Sequence, residues 1–132
     1  MKKDIEIPKV DGVYVAAVKV FNKDLNVDEW NAYIINDKDV DLEMVLIVSK
    51  GLSKDKKTAV MRHKLETLPA KSFAKIEYLQ EEVLALVNTF EVSFFEGNKM
   101  FDKSFVFKAN TINEKAYQVI PTMGGIQGVL VK

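Results

Sequence analysis

Cysteine is missing from this chain altogether, while arginine occurs once (Arg62), histidine once (His63), tryptophan once (Trp30) and proline three times. Without cysteine there is no disulfide, no thiolate zinc or iron–sulfur site and no nucleophilic thiol. A single arginine leaves little means of gripping phosphate or guanine bidentately, which weighs against specific nucleic-acid recognition. A net excess of one charge is lacking too: 19 Lys and Arg stand against 19 Asp and Glu, so no global field draws the chain to nucleic acid or an anionic membrane. Apolar runs such as Val45 to Val48 fall far short of a membrane span. The opening stretch MKKDIEIPKVDG has lysines but no apolar h-region before Asp11, which argues against a secretory signal and makes a reducing cytoplasm the expected compartment.

What is present is the composition of an ordinary globule, 132 residues with 48% hydrophobic and 29% charged, long enough for one domain over 1–132 with a single core. Period two dominates. Trp30, Ala32 and Ile34 alternate with Tyr33 and Ile35, apolar on both faces, so this strand is expected to be covered on both sides. Leu42, Met44, Leu46 and Val48 form an unbroken apolar face, with Glu43 and Ser49 opposite beside Val45 and Ile47, the pattern expected of a strand near the centre of a sheet. Phe90, Val92, Phe94 and then Phe101, Phe105, Phe107 flank the turn at Gly97–Asn98, a clear hairpin signal. Further strands are expected over 13–21, 58–67, 72–79 and 128–131, with a polar surface loop over 22–29. Helical turns are expected at 81–88 and, capped by Asn113, over 113–119. Seven or eight antiparallel strands with one or two short helical turns predict an all-β, immunoglobulin-like sandwich.

The densest polar stretch is NDKDVDLE, residues 36–43, which sets Asp37, Asp39 and Asp41 at every second position. As an EF-hand loop it fails, because Leu42 stands where a glycine is needed and Val48 where a bidentate glutamate is needed. Two readings stay open: a loose divalent-cation site at Asp37, Asp39 and Asp41, or a polar joint between strands whose Asn and Asp side chains bond the turn. His63 falls by alternation with Ala59, Met61 and Leu65 and is expected to be structural or partly exposed; no G-x-S-x-G elbow accompanies it. The glycines of TMGGIQG serve backbone turning, since no strand-to-helix phosphate loop surrounds them. Lys56, Lys57 and Arg62 in a lysine-rich stretch, and Phe95 on the face opposite Phe94, are candidate interaction residues. Lysines at 99, 103 and 108 read as devices that discourage unwanted edge pairing.

The runs WNAYIINDKDVDLEMVLIVSKG, LETLPAKSFAKIEYLQEEV and FEVSFFEGNK resemble the Smr-associated-like sandwich domain found beside Smr nuclease domains in some bacterial proteins. The resemblance spans roughly residues 29–107 and implies an immunoglobulin-like fold and no chemistry of its own. The chain also resembles short bacterial proteins that carry the label of a phenylalanyl-tRNA synthetase subunit. A class II synthetase core needs several arginines to hold ATP phosphates, and Arg62 stands alone. The expectation is therefore a noncatalytic interaction or accessory module needing no cofactor, binding a protein partner or itself through an edge strand. The alternative is a weak cation-dependent or small-molecule-binding protein using the aspartates.

Overall fold

The computed structural model describes residues 10–132; the opening stretch read above for a secretory signal lies largely outside them. Nine strands are present among the described residues: β1 (Val13–Asn22), β2 (Val27–Asn36), β3 (Leu42–Leu52), β4 (Met61–Leu68), β5 (Ser72–Leu79), β6 (Val87–Glu96), β7 (Lys99–Phe107), β8 (Tyr117–Val119) and β9 (Gln127–Val131). They form a five-stranded sheet, β5-β2-β1-β9-β8, and a four-stranded sheet, β4-β3-β6-β7, all antiparallel. Hairpins join β1 to β2, β3 to β4 and β6 to β7, while β2 pairs with β5 and β3 with β6 across the chain. These are the connections of an immunoglobulin-like sandwich, with β9 and β8 added beyond β1.

Between the sheets lies a core rich in phenylalanine. Phe90, Phe94, Phe101, Phe105 and Phe107 all point inward from the β6–β7 hairpin and are buried. Phe90 meets Phe107 edge to face at 5.8 Å, and Phe94 stacks on Phe101 at 5.4 Å, geometries that add to the area they bury. The hairpin turns through two residues, with the positive φ at Gly97, as a II′-type turn requires. A second, smaller cluster covers the middle of the outer face of the five-stranded sheet, where Ile120 and Met123 pack over Ala16, Val18 and Ile35, with Tyr33 at its margin. The two-sided burial expected for the β2 sequence is thus found, and desolvation there pushes the Tyr33 hydroxyl pKa up.

Three expectations are corrected. The stretch 22–29 is mostly hairpin: Asn22 pairs with Val27, Phe21 with Asp28 and Val20 with Glu29, leaving only 23–26 as the turn. Its polar residues lie on strands that run past the core, so alternation was not there to see. Around 113–119, Asn113 does cap a turn by accepting from the Lys115 N–H at 2.9 Å, but the turn stops at Ala116 and 117–119 becomes β8, paired to β9. Pairing with a neighbouring strand there outweighs local helix preference. Finally, Leu42, Met44, Leu46 and Val48 do not share a face. Met44 takes φ 50° and the register to β6 shifts between Glu43 and Leu46, so Val45, Ile47 and Ser49 turn inward beside Leu42 while Met44 and Leu46 turn out. One inserted residue reverses the inside–outside order of all that follow.

Where β9 meets β1 the backbones come unusually close. A Cβ at Gly128 would stand 2.6 Å from the Ala17 carbonyl oxygen, closer than real contacts allow. Gly128→Ala is therefore expected to lower stability by about 1–3 kcal/mol, read as a reduced urea midpoint, because a backbone atom cannot yield as a side-chain tip can.

Candidate functional site

The polar joint at 36–43 is organised by the residue that looked least chemical. Asn36, fully buried at the end of β2, donates through Nδ2 to the carbonyls of Val40 (2.9 Å), Leu68 (3.1 Å) and Pro69 (3.0 Å) and accepts from the Lys38 N–H at 3.0 Å. It ties the connection from the five-stranded to the four-stranded sheet to the turn that returns between them. The aspartates are divided among separate tasks. Asp37 accepts from the Thr122 hydroxyl at 2.9 Å and from Lys71 Nζ at 3.3 Å; Asp41 accepts from the Ala70 N–H at 2.9 Å; Asp39 is 93% exposed, 4.0 Å from Lys71. An ammonium therefore already stands between Asp37 and Asp39, relieving the repulsion that in the cation-site reading a metal ion would relieve. Among the described residues no three His, Cys, Asp or Glu side chains converge to hold a metal ion.

A second polar cluster lies where the two sheets open between β4 and β5. The Ser49 hydroxyl donates to Glu77 Oε1 at 2.5 Å, and His63 Nε2 stands 2.8 Å from the same oxygen. Two bulges bring these residues together. The one at Met44 turns Ser49 inward, and a register shift in the β2–β5 pairing at Ala32/Tyr33 lets Ile76 and Glu77 both face the sandwich. His63 is half-buried, as expected, but Ala59 and Met61 are exposed and only Leu65 shares its packing against the core. The order of the three groups decides their chemistry. An activated serine needs the imidazole between nucleophile and acid, whereas here the carboxylate sits in the middle and holds both donors. The arrangement clips the four-stranded sheet to the five-stranded one. Beside it a cavity of about 190 Å³ is lined by Gly51, Thr58, Gln80 and Asn88 among others.

The third feature is a surface. On the outer face of the four-stranded sheet Met44, Leu46 and Met100 are 53%, 44% and 53% exposed, with Phe95 and Val48 partly buried among them. Phe95 faces outward, as expected, paired with Met100 on β7 and with Glu43 on β3. Arg62 lies on the same face, paired with Val48, and Lys64 is paired with Leu46. Lys56 and Lys57 do not join them. They are exposed on the β3–β4 loop, in a turn closed by the Ser53 N–H donating to the Lys56 carbonyl. Sequence reasoning missed Met44, Leu46 and Met100 as surface residues, since an apolar alternating strand looks the same whichever face is buried.

No protein-family model, curated protein or solved structure matches this chain. For Asn36, Asn36→Asp is expected to destabilise more than Asn36→Ala. The alanine leaves buried carbonyls without their donor, at a cost of about 2–3 kcal/mol, and the aspartate adds an acceptor facing them, so denaturant midpoints should fall in that order.

Proposed function

We propose that this chain is a noncatalytic, cytoplasmic interaction module whose binding surface is the outer face of the four-stranded sheet. The observation that carries the reading is the unequal treatment of the two sheet faces. The middle of the outer face of the five-stranded sheet is covered by Ile120 and Met123 from the chain itself, with Phe73 and Tyr78 exposed on its edge strand β5, while on the other sheet Met44 and Leu46 of the interior strand β3, together with Met100, remain in solvent. An antiparallel sheet with one solvated face ordinarily makes that face polar. An apolar group left open and rimmed by charge is the usual mark of a surface with a partner.

The resemblance to the Smr-associated-like domain fits an accessory role of this kind, because a sandwich without its own chemistry takes its task from what it binds. Ser49, Glu77 and His63 support the same conclusion, since all three are spent on holding the sheets together.

Two of the five methionines flank the surface, which makes it addressable. Replacing methionine with its photoreactive diazirine analogue and irradiating in cells is expected to give crosslinked peptides containing Met44 or Met100. Crosslinks confined to Met61, exposed beside the cavity near Ser49, would move the binding surface elsewhere and overturn the proposal.

A further inference from the structure

We infer that the occupant of this face is a second copy of the same chain, docked sheet to sheet about a two-fold axis parallel to the strands. The inference rests on the interaction reading above and names its partner. Its ground is the arrangement of charge across the strands. Strand register aligns Lys64, Leu46, Ser93 and Asp102 in one row across β4, β3, β6 and β7, and Arg62, Val48, Glu91 and Ser104 in the next. In these two rows the face therefore runs from basic at β4, through apolar at β3, to acidic at β6 and β7, with Glu43 and Glu66 lying beyond them towards the β4–β5 turn. Arg62, Lys64, Glu91 and Asp102 are all exposed. Glu91 is in part neutralised by Lys50 at 3.5 Å, which leaves Asp102 as the principal acid of the far side.

A two-fold axis parallel to the strands, passing between β3 and β6, keeps every row at its own height and reverses its order. Lys64 of each copy then stands over Asp102 of the other, twice in the dimer, and the apolar column of each copy is covered by the middle of its mate. An axis across the strands at the height of these two rows would instead lay β4 on β4 and set Lys64 against Arg62. Charge in these rows thus selects one of the two symmetric arrangements, both of which leave the strands of the facing sheets nearly aligned, as stacked sheets prefer. A basic or an acidic partner would match only one side of the face; a second copy matches both.

Four strands about 4.8 Å apart and some nine residues long present a face of about 19 by 30 Å. That is roughly 570 Å² of projected area, somewhat under the standard contribution of about 800 Å² per partner, so the dimer is expected to be of micromolar strength.

Sedimentation equilibrium of the full chain from about 1 to 500 µM is expected to show a monomer–dimer equilibrium within that range. Leu46→Glu, a change at a solvent-facing position, should weaken association about 100-fold or more with the melting temperature shifted by only a few degrees, because each dimer gains two charges at its apolar centre. Lys64→Glu and Asp102→Lys should each weaken it about 5- to 10-fold at low salt, and the two together should recover to within about twofold of the parent. Neither change touches the core, so these variants remain informative if the Leu46 substitution harms folding. A monomer throughout, or a dimer indifferent to Leu46→Glu as an edge-strand pair would be, overturns the second copy as occupant. Failure of the charge swap to recover overturns the axis. A monomer whose Met44 and Met100 crosslink to a different protein removes the self-association and leaves the interaction face standing; a monomer with no such crosslinks removes both.

Discussion

Met44 holds a left-handed backbone conformation that a β-strand residue rarely adopts, and the rest of the structure depends on what that does to β3. Before it Leu42 faces the core; after it Val45, Ile47 and Ser49 do, and Met44 and Leu46 are turned to solvent. Without the shift Leu46 would enter the core and Ile47 would leave it. Ser49 would then no longer meet Glu77, and Val45 and Ile47 would stand on the outer face in place of Met44 and Leu46. A non-glycine residue at positive φ costs on the order of 1–2 kcal/mol, a strain that the surrounding pairing to β4 and β6 is extensive enough to hold.

The two sheets are joined by unlike means at different places. In the middle they meet through apolar burial, with paired phenylalanines from one hairpin reaching Ile34, Ala17 and Val15 of the other sheet. At the 36–43 joint they meet through Asn36, whose donors satisfy carbonyls that would otherwise be buried alone. At the β4–β5 opening they meet through Glu77, which holds donors from two strands of the facing sheet. Polar groups are thus committed where the chain crosses between layers, and this is why the carboxylates at 37 and 41 are structural partners of Thr122, Lys71 and Ala70.

Unequal covering of the outer faces gives the molecule a direction. The segment after β8 folds back over the five-stranded sheet and shields Ala16, Val18 and Ile35. No described segment does the same for Met44, Leu46 and Met100. The side that is left carries basic and acidic residues on opposite margins, an order that a strand register produces and that residue spacing along the chain does not display.

Much of the sandwich was legible in the residues. Alternation of phenylalanine through 90–107, the turn at Gly97 and the doubly apolar stretch 30–35 determine strands and their pairing locally, because a side chain's face follows from its position whenever the strand is regular. The cap at Asn113 was legible for the same reason, being a contact two residues away. The bulge at Met44, the inward turn of Glu77 and the conversion of 117–119 into β8 were not, since each is imposed by a neighbouring strand distant in sequence. Sequence by itself therefore determined the class of fold and the apolar residues available to build it. Only the tertiary structure decided which of those residues face the core and which face solvent, because one irregular residue in a strand inverts that assignment without leaving a mark in the pattern.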